Sequence, residues 1–146
     1  MKEGFTLIEL LIVMVVVTIL VTVALPAYKT SMEKGRATEG IANAAAVSEA
    51  MNAFYIRNGN SYGNESSLKT FVLGNATDGG VAGITQSKNF NAPSISFSST
   101  SKASVTMSRK TGAYSITYTS EYGRVTGRTC SGSTTAGKKY CKAIGF

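Results

Sequence analysis

One feature constrains this chain above all others: a long apolar run that opens on a single carboxylate. From Leu10 to Leu25 every residue is apolar except Thr18 and Thr22, and between residues 5 and 28 the only charge is Glu9. With Phe5–Ile8 in front, the run reaches the ~20 residues that a bilayer-spanning helix needs. The two threonines are tolerable in lipid, because a Thr hydroxyl on a helix can donate to a carbonyl of the preceding turn. Glu9 is the anomaly. A carboxylate deep in a span costs roughly 2.5–3.5 kcal/mol on the insertion scale, so it reads as a functional residue in need of a partner. A plainer placement is the cytoplasmic interface, only a turn from the start of the run. The two fit different stages of one protein's life.

The rest of the chain is different in kind. It is polar, rich in Gly and Ser and net basic, and the whole 146-residue chain carries a formal charge of +7. A hydrophobic stem on a soluble head follows, with room for one globular domain at most. There is no His and no Trp, so the usual general base at neutral pH and the commonest metal ligand are both missing. Beyond residue 58 the only acidic side chains are Glu65, Asp78 and Glu121, widely spaced. No catalytic residue, metal site or cofactor is expected. Cys130 and Cys141 have ten residues between them near the C-terminus, which does not fit the short paired spacings of zinc sites. In a head exported across a membrane the pair is expected to oxidise; in a reducing compartment both would stay free.

An ordinary secretory signal would have a basic n-region, a shorter apolar core and a small-residue cleavage site. Here Lys2 and Glu3 cancel, and the run before the passable site Thr22-Val23-Ala24 is long and carries Glu9. Instead, Gly4-Phe5-Thr6-Leu7-Ile8-Glu9, followed by the aliphatic run and Pro26, resembles the class III signal of type IV prepilins and pseudopilins. The resemblance implies that prepilin peptidase removes a leader, residues 1–4, by cutting between Gly4 and Phe5, and N-methylates the new Phe5 amine. It also makes Glu9 the carboxylate needed for efficient methylation and assembly. Physical chemistry agrees. The Phe5 amine would be a charge in an apolar setting, and Glu9 lies four residues on, about 6 Å along the helix axis. In a staggered bundle of identical helices, Glu9 can pair with the amine of a neighbouring subunit and so enforce axial register. The sequence departs from the family pattern at Glu3, where a basic residue is usual, and at Thr18, where glycine is common. Lys29, Lys34 and Arg36 outnumber Glu33 and Glu39 after the span, so charge alone would put the head in the cytoplasm. The processing signal and the cysteine pair place it outside.

Beyond the apolar segment 5–28, the head is expected to occupy residues 29–146. Small or apolar residues at Ala37, Ile41, Ala44, Ala45, Ser48, Met51, Phe54 and Tyr55 recur at steps of three and four, which predicts one buried face of a helix over 29–58. Pro26 removes a backbone donor, so a kink is expected there. Arg57-Asn58-Gly59-Asn60 stops the helix. Residues 59–93 read as a long Asn-, Gly- and Ser-rich connection with apolar patches at Phe71–Leu73 and Val81–Ile84. Asn64-Glu65-Ser66 and Asn75-Ala76-Thr77 match the glycosylation pattern weakly. Alternation then predicts strands within 94–129, at Ser94–Ser98, Ser104–Ser108, Ala113–Thr119 and, more weakly, Arg124–Thr129. Short turns at Ser99–Ala103 and Arg109–Gly112 make them an antiparallel meander. Residues 130–146 read as a terminal loop closed by the cysteines. The expected class is α+β, a long helix on a meander, similar to the pilin head.

A structural subunit of a homo-oligomeric type IV pilus filament is therefore expected, made as a single-pass inner-membrane precursor. Its partners would be prepilin peptidase, the assembly machinery and further copies of itself. The alternative is a pseudopilin of a type II secretion or DNA-uptake system, or a minor pilin. Calcium-binding pseudopilins carry an acidic late loop, whereas residues 124–146 contain no acid. The basic residues Arg124, Arg128, Lys138, Lys139 and Lys142, with Tyr140 among them, raise direct binding of DNA or another polyanion. A solvated basic face is the favoured reading.

Overall fold

The computed structural model describes residues 5–74, 81, 84 and 87–146. Helix α1 runs Leu7–Arg57 and α2 Glu65–Leu73; strands follow as β1 Ser94–Ser99, β2 Lys102–Ser108, β3 Tyr114–Glu121 and β4 Arg124–Gly132, and α3 closes the chain at Thr135–Ala143. The chain divides into two compact units, residues 1–33 and 34–146. The class is α+β, as the residue pattern predicts.

In the first unit α1 contains a stretch long and apolar enough to cross a membrane. Every side chain from Phe5 to Lys29 is exposed. The hydroxyls are used as expected: Thr18 Oγ1 donates to Met14 O at 2.7 Å and Thr22 Oγ1 to Ile19 O at 2.7 Å. Pro26 lies inside the helix, and Thr30 Oγ1 donates to its carbonyl at 3.1 Å.

In the second unit the predicted face of α1 is the buried one. Ala37, Ala44, Ser48, Met51 and Tyr55 are buried, Ile41, Ala45 and Phe54 half-buried, and Val47 and Ala50 widen the stripe. They share one core with Ile95, Val105, Met107, Ile116 and Tyr118. The sheet is an antiparallel meander in the order β1-β2-β3-β4. In β3, Tyr114, Ile116, Tyr118 and Ser120 are buried while the residues between them are half-exposed, which is the period of two that puts alternate side chains on one face. In β4 the register slips: Ser120 pairs with Val125 and Thr119 with Gly127, so Thr126 bulges out of the ladder.

Two elements differ from the expected loops. The connection 59–93 contains α2, and the segment 130–146 contains both the end of β4 and α3. In α2, Asn64 Oδ1 accepts from Ser67 N at 2.9 Å while Ser67 Oγ accepts from Asn64 N at 3.3 Å, a reciprocal cap. Leu68 and Val72, four apart, are buried, and Phe71 packs 5.2 Å from Phe54. The same Asn64 heads the first glycosylation-like triplet; the second, Asn75-Ala76-Thr77, lies outside the described residues. In α3, Thr134 Oγ1 accepts from Gly137 N at 3.0 Å. The helix lies directly on backbone: a Cβ at Gly137 would sit 1.8 Å from Ala113 O. Only glycine admits that approach.

The segment before β1 is held to α1 by a carboxylate. Glu39 Oε1 accepts from Ser87 Oγ at 2.6 Å and from Lys88 N at 3.0 Å, and its Oε2 accepts from Asn89 Nδ2. Beside it the Phe90 ring covers Gly40 so closely that a Cβ there would lie 2.4 Å from the ring. The donors of Ser87 and Asn89 hold the Glu39 carboxyl below its ordinary value of 4.5. A depressed folded pKa means that the stabilisation is complete above the unfolded value and is lost as pH falls through the folded one. Glu39→Gln is expected to lower head stability by about 1–2 kcal/mol at neutral pH, from the weakened hydrogen bonds. It should also flatten the decline of melting temperature below pH 4.5, which thermal unfolding across a pH series would measure.

Candidate processing and assembly site

The first turn of α1 is closed by its own residues. Thr6 N donates to Glu9 Oε2 at 2.9 Å, Thr6 Oγ1 donates to the same oxygen at 2.7 Å, and Glu9 N reaches back to Thr6 Oγ1 at 3.4 Å. Thr6 and Glu9 thus form a capping box, three residues apart, in which each satisfies a backbone donor of the other. Glu9 also places a negative charge at the positive end of the helix macrodipole. Reading Glu9 only as a partner for an amine missed this second use; the Thr-x-x-Glu spacing carries it in plain sight.

The box sets Glu9's carboxylate on the backbone N–H immediately after Phe5. Phe5 itself is 85% exposed, ahead of the regular helix and open to solvent. Gly4, on the other side of the expected cut, lies outside the described residues. A cut before Phe5 would therefore create an amine one residue from a carboxylate already fixed in direction. Among the described residues the carboxylate's partners are both from Thr6, a neutral residue, and these bonds can be exchanged for a cationic partner.

Cys130 and Cys141 form a disulfide with 5.5 Å between their Cα atoms. Cys130 stands opposite Ile116, and Cys141 is buried on the inner side of α3. The bond therefore joins α3 to the outermost strand. The five expected basic residues are all exposed and divide between β4 and α3. Arg124 pairs with Glu121 and Arg128 with Tyr118, and Tyr118 is buried while Glu121 is not. The two arginines consequently project from opposite faces of the sheet. Lys138, Lys139 and Lys142 share the outer arc of α3, turned away from Gly137 and Cys141. Among the described residues no group of His, Cys, Asp or Glu could hold a metal ion.

Residues 1–25 match the family model of the prokaryotic N-terminal methylation motif. The chain is 40% identical over 67 residues to a fimbrial protein of Neisseria meningitidis serogroup B, covering 46% of this chain and 39% of that one. It is 41% identical over 59 residues to the type IV major pilin protein PilE1 of Neisseria gonorrhoeae, 40% of this chain and 36% of the relative. To the type IV major fimbrial protein FimA of Dichelobacter nodosus it is 33% identical over 79 residues, 54% of this chain and 49% of the relative. The chain thus spans less than half the length of each of these relatives. No solved structure matches it. On motif and relatives together, this chain carries the prokaryotic N-terminal methylation motif and is similar to type IV pilins.

Proposed function

We propose that the chain is a structural, non-enzymatic subunit of a type IV pilus, held in the membrane by residues 5–28 until it assembles into an extracellular helical filament of identical copies. The observation that carries this reading is the state of the stem. From Phe5 to Lys29 every side chain is exposed, and the exposed residues include Leu7, Ile8, Leu10, Leu11, Val23 and Leu25. A soluble monomer does not present so long an apolar surface to water. Lipid covers it before assembly, and the stems of neighbouring copies cover it afterwards. Hydrophobic packing supplies the cohesion, while Glu9 meeting the Phe5 amine of a neighbour selects the register.

Processing is the direct test. Mass spectrometry of the native assembled protein is expected to find Phe5 at the N-terminus bearing one added methyl group. An intact Met1 in assembled material, or a start at Leu25, would overturn the proposal.

A further inference from the structure

Exposed lysines collect at one end of the head. The turn between β2 and β3, the segment before β1 and the start of α3 meet at one end of the sheet: Asn91 N donates to Ser108 O at 2.9 Å, Lys110 N to Asn89 O at 3.1 Å, and Ser133 N to Ala113 O at 3.1 Å. Gly40 of α1 lies under Phe90 at this same end. Here stand Lys88, Lys110, Lys138, Lys139 and Lys142, with Lys34 about a turn and a half before Gly40 on α1; all six are exposed. The acids beside these lysines are turned inward: Glu33, next to Lys34, is buried, and Glu39 is occupied by Ser87, Lys88 and Asn89. Toward the far end the acids are paired with cations instead. Glu65 is paired with Lys69, and Glu121 with Lys102 at 2.6 Å.

We propose that these lysines form a surface for anionic phospholipid headgroups, engaged while the chain is a membrane-anchored precursor. The inference rests on the reading of residues 5–28 as the anchor. Lys34, the first residue of the second unit, follows Leu25 by nine residues. That short tether holds Lys34 within reach of the bilayer and makes an encounter of the lysines with it intramolecular. Clustered cations within a Debye length of an anionic leaflet are attracted to it, each adding to the last. Nucleic acid fits less well. Tyr140, the aromatic among the α3 lysines, is half-buried with its ring edge-on to Tyr114 at 6.2 Å, so it offers no platform for a base. The forked guanidinium groups that grip phosphates in pairs are absent from the α3 arc. Ammonium groups spread over an end suit a plane of mobile headgroups.

The proposal also says what assembly must undo. Leaving the membrane means releasing several weak, salt-sensitive contacts, which separate one at a time. The test uses the full-length precursor reconstituted into vesicles of phosphatidylcholine alone or enriched in phosphatidylglycerol. Exposed lysines are acetylated in each and read by mass spectrometry. Labelling of Lys138, Lys139 and Lys142 is expected to fall several-fold in the anionic vesicles and to recover in high salt, while Lys102 stays unchanged. The triple variant Lys138→Glu, Lys139→Glu, Lys142→Glu should float with the vesicles as before and lose the salt-sensitive protection of Lys34 and Lys88. Equal labelling in both vesicle types, for a precursor that floats with both, overturns the proposal and leaves the anchor reading standing. A precursor that floats with neither overturns the anchor reading instead, and the tether with it. Protection by added duplex DNA exceeding that by phosphatidylglycerol reassigns the surface to nucleic acid.

Discussion

Glu9→Ala is expected to leave membrane insertion and cleavage before Phe5 largely intact, while N-methylation and filament assembly fail. In the precursor the carboxylate has two local bonds from Thr6 and, by a small shift of the helix, access to headgroups. Inside the proposed bundle of stems that escape would be closed, and the carboxylate would have to meet a Phe5 amine or take up a proton. Removing one member of a buried ion pair costs about 3–5 kcal/mol because the other is left uncompensated, and in a filament the loss recurs at every subunit. Two further variants separate the roles of the residue. Glu9→Gln keeps the shape and loses the charge. Thr6→Val removes the cap and keeps the carboxylate, for a loss of about 1 kcal/mol of helix stability. Filament counts by electron microscopy should fall with Glu9→Gln and hold with Thr6→Val. Should the Gln variant build filaments of normal number and length, hydrophobic packing alone aligns the stems.

Cys130→Ser is expected to lower the stability of the head by about 2–3 kcal/mol, since the bond closes a short loop. The loss should be local in origin. Helix α3 has few other anchors: its apolar side is Gly137 and Cys141, with Tyr140 half-buried. Without the bond the helix is held by its Thr134 cap, by backbone contact at Gly137 and by the Tyr140 ring against Tyr114, while the core between α1 and β1–β3 keeps its packing. Chemical denaturation of the variant against the parent measures the difference, and hydrogen exchange should show protection falling first in residues 130–146. Alkylation supplies the compartment test. Two freely reactive thiols in the folded native protein would contradict an exported head.

The α1 face and the first three strands were legible because each buries a repeated pattern. Steps of three and four from Ala37 to Tyr55, and alternation through Ile95, Val105, Met107, Ile116 and Tyr118, name the residues that the core contains. The two short helices were not, because neither has enough turns to establish a period. In α2 only Leu68 and Val72 are buried, and the clue was the cap at Asn64 with an acid next to it. In α3 the inward positions are a glycine and a cysteine, which periodicity does not count as apolar. At the N-terminus the motif around Glu9 is visible as a pattern, and its local bonding to Thr6 follows from the Thr-x-x-Glu spacing, which apolar periodicity does not register. The clamp at Glu39 joins residues 48 to 50 positions apart, a relation no local pattern reveals. The scattering of Arg124 and Arg128 to opposite faces follows from β4 register and its bulge at Thr126, neither of which composition reports.

That bulge bears on crowding. A β-sheet ends in two strands whose outer peptide groups are open, and an unguarded edge recruits other edges into continuous sheets. Along a pilus, heads of one sequence would be held side by side for the life of the fibre, at a density that no soluble monomer experiences. Helix α2 lies beside β1 at one margin. At the other, Thr126 breaks the straight run of β4, and exposed Arg124 and Arg128 set like charges against any copy that approaches edge to edge. In the proposed filament the heads could then be neighbours without becoming one another's strands, which would leave the stems to decide how the subunits join.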